Sequence, residues 1–175
     1  MVSADHRYWL SYNGEVYNFR ELRKELKAKG HWFRSETDTE VVLNALAEWG
    51  TKALIRFNGM FAFALWDRKE RSLLLARDRY GIKPLYVSQQ ENIFAFGSEQ
   101  KAILKIPRFK RKIDRAALLE YFTFQNIFTN RTLLEDIKLF PAGHFATLDL
   151  KADNPALKYS EYWDYSFQEP TEPSS

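Results

Sequence analysis

Met60-Phe61-Ala62-Phe63-Ala64-Leu65-Trp66, then Asp67-Arg68-Lys69-Glu70-Arg71, then Ser72-Leu73-Leu74-Leu75-Ala76: two apolar runs are divided by five consecutive charged residues. The pattern reads as a β-hairpin, and the lack of polar alternation in the first run implies a strand covered on both faces. Residues 85–87 and 93–96, split by the polar stretch 88–92, read as a second hairpin. Upstream, residues 8–12 are aromatic and apolar and run into Asn13-Gly14. That pair favours tight turns, so a strand ending in a turn is expected there.

Helical signals surround the hairpins. Asn18 with Glu21 three residues on is a capping-box pattern, followed by Phe19, Leu22 and Leu26 at helical spacing as far as Lys29-Gly30. Thr37 with Glu40 repeats the pattern ahead of a stripe of Val41, Val42, Ala45, Leu46 and Trp49 that stops at Gly50. Short helices are expected over 98–104 and, capped by Asp114, over 115–122; a turn at Pro141-Ala142-Gly143 then leads into a strand over 144–148. Helices in blocks around paired antiparallel hairpins make an α+β domain over 1–164, and the polar, proline-bearing stretch 165–175 reads as a linker or disordered tail.

Composition removes several classes of function. The 26 basic and 23 acidic residues are interspersed, which argues against a stripe for nucleic acid or an anionic membrane. The absence of cysteine rules out disulfides, thiolate metal sites and a cysteine nucleophile within these 175 residues, and His6, His31 and His144 are too scattered for a metal cluster or a recognisable catalytic base. No apolar run reaches the roughly 18 residues of a membrane span, and residues 1–13 lack a basic segment followed by an apolar one, so a soluble, cytoplasmic protein is expected.

Asn13-Gly14-Glu15-Val16-Tyr17-Asn18 resembles the NGE-[IV]-YN signature of class II glutamine amidotransferases of the asparagine synthetase type. Arg34-Ser35-Glu36-Thr37-Asp38-Thr39-Glu40, the stretches 57–67 and 76–86, and Gly97-Ser98-Glu99-Gln100-Lys101-Ala102 resemble that family's further blocks in the same order. Pro141-Ala142-Gly143-His144 and Tyr162-Trp163 resemble its closing segment. The resemblance implies an αββα sandwich of N-terminal-nucleophile hydrolase type, here incomplete at its N-terminus.

It also implies a chemistry. Hydrolysis of a glutamine side-chain amide needs a nucleophile, a base, donors for the tetrahedral oxyanion and groups for the charged end of the amino acid. By resemblance, Asn13 (side-chain amide) and Gly14 (backbone N–H) form the oxyanion hole, and Glu15 and Asp38 bind substrate, with Asp38 facing the α-ammonium. Glycine is expected at 14 because a turn and a close approach to substrate resist a Cβ. Arg77-Asp78-Arg79 is expected to be an ion-pair network holding the loop that follows, outside the site.

In the resembled family the nucleophile is an N-terminal cysteine whose α-amino group is the base, and an upstream arginine pairs with the glutamine carboxylate; both are absent here. Ser3 cannot replace the cysteine, because the amine-as-base mechanism needs the nucleophile to be the first residue. The pyrophosphate loop of the synthetase domain is also absent, so no cofactor is expected in this chain, and ATP and magnesium belong to that domain. The expectation is a partial glutaminase domain, inactive alone, with glutamine and the synthetase domain as partners and with marginal stability or self-association from uncovered apolar faces. The alternatives are a non-catalytic glutamine- or protein-binding scaffold, and a domain of an amidotransferase with another acceptor.

Overall fold

The computed structural model describes residues 1–90 and 93–167. Most of the stretch expected as a linker lies outside them. The hairpin of the opening motif is β2 (Gly59–Asp67) with β3 (Ser72–Arg77), paired from Asp67 opposite Ser72 inward. β1 (Tyr8–Val16) lies on the other side of β2, while β7 (His144–Asp149) and β8 (Lys158–Glu161) continue beyond β3, giving an antiparallel sheet in the order β1-β2-β3-β7-β8. The second hairpin, β4 (Tyr86–Gln90) with β5 (Ile93–Gly97), is joined by β6 (Ile137–Leu139) in a smaller sheet ordered β5-β4-β6.

The period-2 alternation of β2 explains the stacking. Phe61, Phe63 and Leu65 point into a core shared with α1 (Phe19–Ala28), α2 (Asp38–Trp49) and the 3₁₀ segment Gly50–Arg56, while Ala62 and Ala64 point between the sheets to Leu75, Leu85, Val87, Phe140 and Ala146. Both faces of the strand are covered, as its unbroken apolar run requires. Each fully buried phenylalanine contributes about 1.5–3 kcal/mol. On the far side of the small sheet, Ile103 of α3 (Gln100–Ile103) and Phe109 close a third cluster on Ala95 and Ile137. The layers therefore run helix, sheet, sheet, helix. α4 (Arg115–Phe124) follows, capped by Asp114, whose carboxylate accepts from the N–H groups of Ala116 and Ala117.

Three local expectations are corrected. Asn13-Gly14 is no turn: β1 runs through it to Val16, because residues 8–16 all find partners on β2. Asn18 forms no capping box; its side chain donates to the Arg56 carbonyl and accepts from the Asn58 N–H, tying the start of α1 to the entry of β2. Arg77-Asp78-Arg79 is no ion-pair network: the Arg77 guanidinium donates to the carbonyls of Gly81, Lys83 and Phe140, and Arg79 donates to that of Ile55. At the second capping signal, Thr37 Oγ1 accepts from the Glu40 N–H as expected, but the Glu40 carboxylate turns to the N–H groups of Arg34 and Ser35 at 2.9 and 2.7 Å.

Burial alone would raise the pKa of Glu40, but the hydrogen bonds from the Arg34 N–H, the Ser35 hydroxyl and the Ser35 N–H outweigh it and hold the group below its usual value. A depressed folded-state pKa stabilises the fold fully above the unfolded value, and that contribution disappears as pH falls through the folded one. Glu40→Gln is therefore expected to cost about 1–3 kcal/mol at neutral pH. The difference from wild type should shrink below about pH 4, which urea unfolding at pH 7 and in the acid range will check.

Candidate functional site

β1 is an edge strand, and its outer edge is used in three different ways. At its start Met1 exchanges two hydrogen bonds with Leu10, with N–H to Leu10 oxygen at 2.7 Å and Leu10 N–H to Met1 oxygen at 2.8 Å. At its end the Val16 N–H donates to Asp38 Oδ2 at 3.0 Å. N–H groups alternate sides along a strand, so those of Tyr12 and Gly14 face this same edge, between Leu10 and Val16. No other strand occupies it among the described residues.

Side chains alternate as well. Asn13 lies on the face toward the small sheet, where its Nδ2 donates to Ser98 Oγ at 3.1 Å, and Glu15, two residues on, is exposed on that same face. Tyr12 lies on the helix side, where its hydroxyl donates to Asp38 Oδ2 at 3.0 Å. Burial, then the nearby Asp38 charge, raises the Tyr12 pKa, so the phenol stays protonated and remains a donor. With Tyr12 and Val16 both on Oδ2, Oδ1 of Asp38 has no protein partner among the described residues.

The structure thus brings Asn13, Gly14 and Asp38 to one end of β1, with Asn13 and Asp38 approaching from opposite faces of the sheet. A cavity of about 160 Å³ opens on the Asn13 side, lined by Ser11, Asn13, Ala64, Phe96, Gly97 and Ser98 among others. Two participants escape sequence reasoning. Tyr12 reads as one more apolar strand residue, and Ser98 sits inside a family-like block without any spacing that relates it to Asn13. The histidines stay outside, with His31 on Glu48 and His144 on the Ala142 carbonyl.

Gly14 is required for a reason other than a turn. An added Cβ would collide with the Met60 carbonyl oxygen and would come within 2.6 Å of Phe61 Cα, so only glycine lets β1 and β2 approach so closely. Gly59 is the reciprocal case across the ladder, its Cβ position blocked by the Glu15 carbonyl and Val16 Cα.

Two packed antiparallel sheets between helical layers are the sandwich of N-terminal-nucleophile hydrolases. Two solved structures share the architecture. One is a glutamine phosphoribosylpyrophosphate amidotransferase from B. subtilis, TM-score 0.59 at 16% identity, over 93% of this chain and 31% of that one. The other is described as the allosteric regulatory enzyme of purine biosynthesis, TM-score 0.61 at 17% identity, over 89% and 28%.

The chain belongs to the glutamine amidotransferase domain family, whose model matches residues 1–163. Among curated relatives it is 40% identical to asparagine synthetase [glutamine-hydrolyzing] 3 of Bacillus subtilis and 35% identical to asparagine synthetase 1 of the same organism, in each case over 94% of this chain. A putative asparagine synthetase of Mycobacterium tuberculosis is 39% identical over 91%. The chain spans 25–26% of the length of these relatives.

Gly14→Ala is expected to destabilise the domain by about 1–3 kcal/mol or more through overpacking against β2. Gly97→Ala, whose Cβ would meet nothing nearer than 3.5 Å, should cost less than about 1 kcal/mol. Chemical denaturation of the two variants side by side makes the comparison; equal effects would contradict the close approach.

Proposed function

We propose that this chain is the glutamine-binding part of a glutamine-hydrolysing asparagine synthetase, which holds glutamine for release of its amide as ammonia to a synthetase portion carrying the ATP and magnesium sites. The observation that carries this reading is the meeting of Asn13-Gly14 and Asp38 at the end of β1, where two donors and one carboxylate with a free oxygen stand on a rigid edge.

Attack on the side-chain carboxamide carbon moves negative charge onto its oxygen. The Gly14 N–H, fixed by the strand, and the second N–H of the Asn13 amide stabilise that charge without reorganising. Asp38 Oδ1 takes the α-ammonium through a charge-assisted hydrogen bond, and Glu15, on the opposite face of β1 with Asn13, offers an acceptor to substrate from that side. Because the Gly14 N–H faces the outer edge of β1, the nucleophile must approach across that edge. These 175 residues include no cysteine, so the chain alone binds glutamine without turnover.

The exposed apolar residues Leu119, Phe122 and Phe124 of α4, with Phe128 beyond, support docking of the synthetase portion on that side. Left uncovered, the same face favours self-association.

Titration of the isotopically labelled chain with L-glutamine, followed by NMR, should shift the resonances of Asn13, Gly14 and Asp38. Asp38→Asn should weaken binding about tenfold or more, as expected for loss of a charged partner. Affinity unchanged by that substitution, or shifts confined to other surfaces, would sink the reading. In a form that also supplies the nucleophile, Asn13→Ala should lower kcat by about 10²–10³.

A further inference from the structure

Four positive charges that alternate with acids along the chain separate on the helix. Arg20, Arg23, Lys24 and Lys27 stand three, four and seven residues apart and fall on one stripe of α1, while Glu25 turns away to pair with Arg56. With Phe19 and Glu36 they line a groove of about 410 Å³, within the range of small-molecule sites. Like charges at these spacings repel, so the stripe is a liability to an isolated helix. Among the described residues Arg20, Lys24 and Lys27 have no ion pair; Arg20 has only the Phe19 ring, 5.7 Å away.

Arg23 supplies a second, independent observation. It is only 7% exposed, its Nη2 donates to the Ser35 carbonyl at 2.6 Å and to Glu36 at 2.9 Å, and its guanidinium lies 4.6 Å from the centre of the Phe33 ring. Its Nε and Nη1 are buried with no hydrogen-bond partner. Unmade donors on a buried cation are costly, and the Glu36 side chain, 90% exposed, offsets the charge weakly. The groove therefore holds four cations against one readily displaced carboxylate.

We propose that this groove binds a linear di- or triphosphate group. The stripe from Arg20 to Lys27 is about 10 Å long at 1.5 Å per residue, so a carboxylate or single phosphate would satisfy only part of it. A chain of phosphates carries charge along its length. Lysines meet such a chain as point charges and arginines through paired N–H donors, and Glu36 gives way to it at Arg23.

The test is calorimetric titration of the 175-residue chain with inorganic triphosphate, ATP and sulfate at about 0.1 M salt. Saturable one-to-one binding of both phosphates is expected, with sulfate much weaker. The double variant Lys24→Glu/Lys27→Glu, at two exposed positions, should raise both Kd values about tenfold or more with an unchanged thermal midpoint. The control Arg68→Glu/Lys69→Glu, the same charge change in the β2–β3 turn, should leave them within about twofold. Equal affinity for triphosphate and ATP would assign recognition to the phosphate chain alone, and a preference for ATP would add a nucleoside contact; either upholds the site. Failure to saturate, affinity untouched by the α1 variant, equal losses in both variants, or binding only to vesicles of anionic phospholipid would overturn it.

Discussion

A carboxylate with no exposed surface, that of Asp78, accepts hydrogen bonds from the N–H groups of Phe61, Tyr80, Ile82 and Lys83 at 2.9–3.2 Å. Its main chain takes part too, with the Asp78 carbonyl accepting from Gly81 and Gly143. Beside it, buried Arg77 reaches three carbonyls, and the Tyr162 hydroxyl donates to the Arg77 carbonyl. This is where the chain leaves β3 of the large sheet for β4 of the small one. An isolated buried charge is heavily penalised, but each of these two is surrounded by main-chain dipoles of the opposite sense. The stacking of the sheets, and with it the position of Ser98 opposite Asn13, depends on this pair.

The candidate site follows from where β1 lies. An interior strand would spend the Gly14 N–H on a neighbour, whereas an edge strand leaves it pointing outward; the glycine pair Gly14 and Gly59 then presses β1 onto β2 so that the donor is held rigidly. Edge N–H groups are usually a hazard to be covered. Here the N–H groups of Tyr12 and Gly14 are left facing outward, while Met1 and Asp38 occupy the edge on either side.

Much of this was legible in residue patterns, and the exceptions have physical causes. The β2–β3 hairpin, the core stripe of α2 and the Asp114 cap were readable because local spacing and burial agree at each. Asn13-Gly14 misled because its turn preference is overridden by nine pairings with β2. β6 has three residues and exists through pairing with β4, and β8, Lys-Tyr-Ser-Glu, is exposed throughout and shows no alternation, so neither carries a local signal. The Asn13–Ser98 contact joins residues 85 apart. The positive stripe of α1 is hidden in sequence because Glu21 and Glu25 interrupt it, and it appears only when helical rotation sorts the charges.

The segment Ser35-Glu36-Thr37-Asp38-Thr39-Glu40 shows how one short stretch serves three separate elements of the fold. Its three carboxylates stand two residues apart at the start of a helix and have three separate tasks. Glu36 reaches back to Arg23 on α1, Asp38 reaches across to β1, and Glu40 folds onto the N–H groups of Arg34 and Ser35 that precede its own helix. Asp38 and Glu40, both in the first turn, gain alike from the helix dipole, so that gain cannot distinguish them. What separates Asp38 from Glu40 is direction, since a helix turns each successive residue by about 100° and positions two apart face nearly opposite ways, while Glu36, ahead of the cap at Thr37, is aimed by the loop. Moving any of these charges by one residue would therefore redirect it away from its partner while leaving helix propensity almost unchanged. The fixed order of acids in this segment is a geometric requirement of one helix start that must serve α1, β1 and its own loop together.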